Sequence, residues 1–292
     1  MGKVIELKNI SKTFGETVAN DGIDFSVKRG NIHTLLGENG AGKTTLMKIL
    51  YGHFQPDSGE IHVDGIKREF SSPRDAIDAG VGMVHQHFMI VENMTVFENI
   101  FLGKESTGAT NVFLDEADER EQVREMSEQY QFDIDPNAVV EDVSVGVQQR
   151  VEILKTLSRG AEIIILDEPT AVLTPQEVDE LFEILRALTA EGKTIILITH
   201  KLNEAVELSD AITVLRDGEN IDTVDPESTT KTDLAEMMVG REVLLSVEKE
   251  DCKVGENVLN LSGVTIDETD NVDQVSEVSF EVHEGEIFGI VG

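Results

Sequence analysis

Cysteine is nearly absent: Cys252 is the one thiol in 292 residues, so no disulfide forms within the chain, and a reducing compartment is expected. Long apolar runs are missing as well. Nothing approaches the ~20 consecutive apolar residues that cross a bilayer, and the opening stretch MGKVIELKNISKTFG has no apolar segment of the kind a secretory leader carries. A cytoplasmic location follows as the expectation. Basic residues are scarce, with 24 Lys and Arg against 57 Asp and Glu and a formal net charge of −33. A surface of that sign repels nucleic acid and anionic lipid, so no nucleic-acid partner is expected. The acidic residues are spread along the chain, with dense stretches at 115–142 and 242–286. Ions screen the self-repulsion of such a surface, which points to adaptation to high salt. Resistance to denaturant should therefore rise between low and molar salt; equal stability at both would remove the idea.

What is present suffices for a core. Hydrophobic residues make up 40% of the chain, and its length suits one large domain or one and a half. Short β-rich runs at 4–10, 23–27, 32–37 and 61–65, and a strand end at 80–86, alternate with helical patterns at 43–52, 95–103 and 115–132. A helix is expected over 145–160, then the unbroken apolar run EIIILDE (162–168), which suits a strand buried on both faces. A helix over 174–192 follows, with Pro175 in its first turn and Gly192 as its stop. KTIILIT (193–199) reads as a second buried strand, 202–209 as a helix, 211–223 as a hairpin around Asp217–Gly218, and 230–240 as a closing helix. This alternation means an α/β fold with a parallel sheet.

Three motifs carry chemistry. GENGAGKTT (37–45) matches the phosphate-loop pattern between a strand and a helix. Gly37, Gly40 and Gly42 let the backbone wrap closely around phosphate, and the helix that follows adds its positive end. Lys43 would reach the β- and γ-phosphates, and the Thr44 hydroxyl would ligate Mg²⁺. IIILDE (163–168) supplies Asp167, placed to hold Mg²⁺, and Glu168, placed to orient or deprotonate water. These two motifs are shared by motors, GTPases and recombinases. VSVGVQQR (143–150) separates the classes, because Ser144, Gly146 and Gln148–Gln149 stand in a Ser-x-Gly core followed by Gln ahead of a helix.

On these residues the chain resembles the ATP-binding cassette (ABC) ATPase family over about residues 3–245. The resemblance implies a P-loop NTPase cassette with a RecA-like core, an antiparallel β subdomain and a helical signature subdomain. It implies ATP and Mg²⁺ as ligands, with Asn39 and Thr45 joining the phosphate loop at the nucleotide. Ser144, Gly146 and Gln148 would face the nucleotide of a partner cassette. Gln86, in VHQHF, matches a glutamine that senses Mg²⁺ and the membrane partner, His200, in LITHKL, a switch histidine, and Phe14 an aromatic ring that stacks on adenine. Val145 and Val147 depart from the signature. Thr174 stands where many members have Asp, a variant seen in sugar and nucleoside importers. The wording of 82–103, 145–177 and 237–243 looks most like those importers. Implied partners are permease transmembrane subunits, a second cassette and, indirectly, an extracellular solute-binding protein. The implied place is the cytoplasmic face of the membrane, held peripherally. The alternatives are a soluble member acting on ribosomes or DNA, against which the charge argues, and a fragment that binds ATP but hydrolyses it slowly.

The chain also repeats itself. Phe280 aligns with Phe25, Val282 with Val27, Gly285 with Gly30, Ile287 with Ile32 and Gly292 with Gly37. One residue out of phase with these, Val258 aligns with Val4, Leu261 with Leu7 and Val264 with Ile10. The expected organisation is an ATP-binding domain over 1–241, a polar linker over 242–257, and over 258–292 the start of a second such domain, poorly supported or docked as stray strands.

Overall fold

Polar and β-branched residues at the start of the chain build a long hairpin, β1 (Lys3–Phe14) and β2 (Thr17–Lys28), turned at Gly15. The computed structural model describes residues 2–103, 116–130, 132–242, 254–266 and 275–290. Its two compact units are Met1–Val243 and Leu244–Gly292. In the first, β3 (Ile32–Leu36) leads through a glycine-rich turn into α1 (Lys43–Leu50). The hairpin β4 (Ser58–Val63) and β5 (Ile66–Arg68) completes an antiparallel sheet in the order β2-β1-β4-β5. The short α2 (Pro73–Asp78) precedes β6 (Val81–Val84). Then come α3 (Val96–Phe101), α4 (Glu116–Gln129) and α5 (Val145–Ser158). The chain returns through β7 (Ile163–Asp167), α6 (Pro175–Ala190), β8 (Thr194–Thr199), α7 (Leu202–Leu208), the hairpin β9 (Ala211–Arg216) and β10 (Glu219–Val224), and α8 (Lys231–Val239).

The second sheet runs β10-β9-β3-β8-β7-β6, parallel except at the β10 edge. Its central strands are buried throughout, and period-2 alternation deals their side chains to two cores. Ile163, Ile165, Ile196 and Ile198 meet Leu46, Met47 and Leu50 of α1 and the inner face of the antiparallel sheet. Ile164, Leu166, Ile195 and Leu197 meet Val151 and Leu154 of α5 and Leu181 and Leu185 of α6. Each such side chain contributes about 1.5–3 kcal/mol by leaving water, so the strand ends that carry the polar motifs are held on a stiff support.

The structure lengthens two expectations and adds two elements. The strands expected at 4–10 and 23–27 run over twelve residues each, because the β1–β2 ladder continues through bulges into a stretch with no apolar alternation. β5 and α2 are absent from the sequence expectation, although Ser72 and Asp75 form a capping box with Pro73 in the first turn. The helix expected over 115–132 is described as Glu116–Gln129, with Glu119, Val123 and Ser127 as its thin buried stripe. Asp115, Gln131, Cys252, residues 243–253 of the expected linker and Gly292 lie outside the described residues.

The second unit holds the hairpin β11 (Asn257–Ile266) and β12 (Val275–His283). Its register copies that of β1–β2. Asn257↔His283, Leu259↔Val282, Asn260↔Glu281, Leu261↔Phe280 and Val264↔Val278 correspond, under the sequence repeat, to Lys3↔Lys28, Ile5↔Val27, Glu6↔Ser26, Leu7↔Phe25 and Ile10↔Ile23. Phe280 stacks on Phe288 with ring centroids 4.9 Å apart.

Candidate functional site

Every motif of the chain lies at the end of a β-strand or the start of a helix. β3 ends at Leu36, and the loop of residues 37–42 brings the backbone to the N-terminus of α1. Gly42 takes φ 95° as the residue before the helix. A Cβ there would lie 2.3 Å from the Ala19 carbonyl oxygen and 2.6 Å from Asn20 Nδ2, so the loop is seated against β2 by glycine alone. The buried Asn20 holds it by donating from Nδ2 to the Gly42 carbonyl at 3.2 Å. Glu38, Asn39 and Gly40 are exposed, and Thr45 is half-buried in the first turn. Lys43 is buried and folds back, donating from Nζ to the carbonyls of Gly37 (2.7 Å) and Glu38 (2.8 Å). Burial pulls its ammonium below the usual lysine range, opposed by the charges of Glu168, Asp167 and Glu38.

Two carboxylates face this loop from the end of β7. Asp167 is buried, and its Oδ1 accepts from Thr44 Oγ1 at 3.2 Å. Burial raises its pKa, with the Thr44 bond acting the other way and the charge of Glu168 adding to the rise. Glu168 has φ 47°, a left-handed backbone that costs a non-glycine residue about 1–3 kcal/mol. Its N–H donates to the Ile198 carbonyl at 3.0 Å, which ties the turn to β8. Gln86 Nε2 donates to Glu168 Oε2 at 3.4 Å, and His200 Nδ1 lies 3.1 Å from Glu168 Oε1. Gln86 and His200 leave from the ends of β6 and β8, the strands on either side of β7. The sheet thus brings Gln86, Asp167, Glu168 and His200 together from three separate motifs.

Ser144 and Gly146 stand elsewhere, at the start of α5. Ser144 caps the helix, accepting from the Val147 N–H at 3.4 Å. Gly146 is buried. Gln148 Nε2 donates to the carbonyls of Val140 (3.2 Å) and Val143 (3.3 Å), so its amide braces the approach to the helix. Among the described residues no hydrogen bond joins these three to the phosphate loop. Phe14, at the end of β1, is 44% exposed. It is set edge-on against Phe54 at 5.2 Å, with Lys12 Nζ 5.6 Å from the ring centre.

Sequence reasoning missed Asn20 and two glutamates. Glu204 is buried and accepts from Thr170 Oγ1 (2.6 Å) and Thr199 Oγ1 (3.2 Å), with Lys201 Nζ at 3.0 Å. It thereby clamps the turn after Glu168 to the strand end that presents His200. Glu177 completes a capping box with Thr174. The Thr-x-x-Glu spacing is a readable signal for that box; the contact with Ser144, 33 positions away, has none.

The ABC transporter family profile matches residues 20–171. The chain is 50% identical over 289 residues to a nucleoside import ATP-binding protein of Lactococcus lactis, covering 99% of this chain and 57% of that one. It is 51% identical to a guanosine import ATP-binding protein of Bacillus subtilis, covering 100% and 57%, and 47% identical over 316 residues to a glucose import ATP-binding protein of Haloferax volcanii, covering 99% and 57%. The chain therefore spans a little over half the length of these curated relatives. Among solved structures, the ADP conformation of an ATP-binding cassette of an ABC transporter superposes with a TM-score of 0.73 at 24% identity, covering 82% of this chain and all of that one. A dimeric bacterial ABC transporter cassette superposes with a TM-score of 0.65 at 27% identity, covering 76% and 98%.

Proposed function

The chain belongs to the ABC transporter family, and from that premise we propose that it binds and hydrolyses ATP to energise import of a nucleoside or simple sugar through permease subunits. The observation that carries this reading is the convergence of Lys43, Thr44–Asp167 and Gln86–Glu168–His200 at one helix N-terminus. ATP lies along the loop of residues 37–45, with Phe14 offering an exposed ring face to adenine. The Lys43 ammonium passes from the carbonyls of Gly37 and Glu38 to the β- and γ-phosphates. Thr44 Oγ1 and Asp167 Oδ1 form a hard-oxygen donor pair that fits Mg²⁺, which neutralises phosphate charge when bound. Glu168 orients the attacking water and takes its proton while Gln86 and His200 hold the carboxylate. The water oxygen bonds to the γ-phosphorus, the bridging bond breaks, and ADP and phosphate leave.

Ser144 and Gly146 serve the nucleotide of a second cassette, so each complete site needs two. The repeated hairpin register supports reading residues from 258 onward as the beginning of another cassette. No helix among the described residues is long and apolar enough to cross a membrane, and the proposed place is the cytoplasmic face, docked on the permease. The test is phosphate release against chain concentration, alone and with the permease. MgATP should bind to the isolated chain, release should rise more steeply than linearly with concentration, and permease should stimulate it. Failure to bind MgATP, or strictly linear release that permease does not change, would overturn the reading.

A further inference from the structure

The two donors at the start of α5 already have an anion. Ser144 Oγ donates to Glu177 Oε1 at 3.0 Å, and the Gly146 N–H donates to the same oxygen at 3.0 Å. The other oxygen, Oε2, accepts from the Thr174 N–H and Thr174 Oγ1, each at 3.0 Å. One carboxylate thus joins the N-termini of two helices, each of which carries about half a positive charge. A Cβ on Gly146 would lie 2.6 Å from Oε1, so the approach depends on glycine. These donors, the Thr174 pair foremost, hold Glu177 below the usual carboxylate range.

We propose that Glu177 is a resident substitute for phosphate, which keeps the Ser144–Gly146 donor pair in order in the open state and makes cassette closure selective for a nucleoside triphosphate over a diphosphate. The inference rests on the reading that Ser144 and Gly146 close on the terminal phosphate of an opposing cassette. A serine hydroxyl has one hydrogen to donate and a backbone amide one. The pair cannot serve the carboxylate and an incoming phosphate fully at once, and the two anions repel. Closure therefore requires an anion strong enough to displace Oε1. A terminal phosphate carries more charge than a carboxylate, and ADP does not present one at that position. The Thr174 bonds involve the other oxygen, so α6 keeps its cap while the exchange takes place.

The test uses the Glu168→Gln chain, in which hydrolysis does not drain the closed state, with association followed by sedimentation as MgATP or MgADP is titrated. Adding Glu177→Gln should lower the MgATP concentration for half-association about tenfold and let MgADP promote association. Glu177→Asp, too short to reach across, should shift it in the same direction and serves if the glutamine variant does not fold. Thr174→Val, which removes only the hydroxyl of the cap, should leave the midpoint within about twofold. An unchanged or raised midpoint in both Glu177 variants, or an equal shift in Thr174→Val, would overturn the inference and leave the proposed function standing. Absence of association in the Glu168→Gln chain at any MgATP concentration would overturn both.

Discussion

Glu168→Gln should cut phosphate release by at least ~100-fold while MgATP binding persists, the scale expected when a positioned general base is removed. The change is nearly isosteric. The φ of 47° and the bond from its N–H to Ile198 belong to the backbone and are untouched. What is lost is the proton affinity of a carboxylate whose two oxygens face Gln86 and His200 separately. The variant should therefore accumulate an ATP-bound, associated state, read as radiolabelled ATP retained on the associated species. Unchanged hydrolysis would exclude Glu168 as the carboxylate that handles the water.

Gly42→Ala should cost more than ~2 kcal/mol of stability and weaken MgATP binding by at least ~100-fold, checked by thermal unfolding and by fluorescence of a labelled nucleotide. Left-handed backbone alone costs an L-residue roughly 1–2 kcal/mol. Here a methyl would also stand 2.3 Å from the carbonyl oxygen of Ala19, a backbone atom of β2 that cannot swing away. Relief means lifting the loop off β2. Gly40→Ala is the control: Gly40 has φ 87°, but the space beside it is open, so only the conformational strain of about 1–2 kcal/mol applies. An equal loss of stability from the two substitutions would mean that the contact with Ala19 is not what seats the loop.

Only some of these links are legible in the amino-acid sequence. The phosphate loop, the strand ending in Asp167 and the helix behind Ser144 are local patterns, and continuous apolar runs such as IIIL announce strands buried on both faces. The meeting of Gln86, Glu168 and His200 followed only from a family resemblance, since their separation in sequence carries no geometric information. The full length of β1 and β2 was hidden because pairing, not apolar alternation, sustains those strands. Asn20, Glu177 and Glu204 were hidden for a related reason. Each acts on a residue brought near by tertiary folding, and a polar side chain on a helix or strand otherwise reads as solvated surface. Gln148 belonged to the expected nucleotide-facing set, yet its amide is turned toward Val140 and Val143.

The repeated hairpin extends to its backbone irregularities. In β1–β2 the left-handed positions of the bulged stretch are Asn9 (φ 51°) and Gly22 (φ 57°). In β11–β12 the matching positions are Gly263 (φ 57°) and Glu277 (φ 51°). Each copy keeps one glycine, but on opposite strands. Paired bonds persist as well: the Gly22 N–H donates to Ser11 Oγ, and its counterpart on Glu277 donates to Thr265 Oγ1. The side chains at these positions differ between the two hairpins while the backbone bend is the same. What the two hairpins share is a shape of the main chain, and a search for further copies of this segment should weigh its positive-φ pattern above its residue identities.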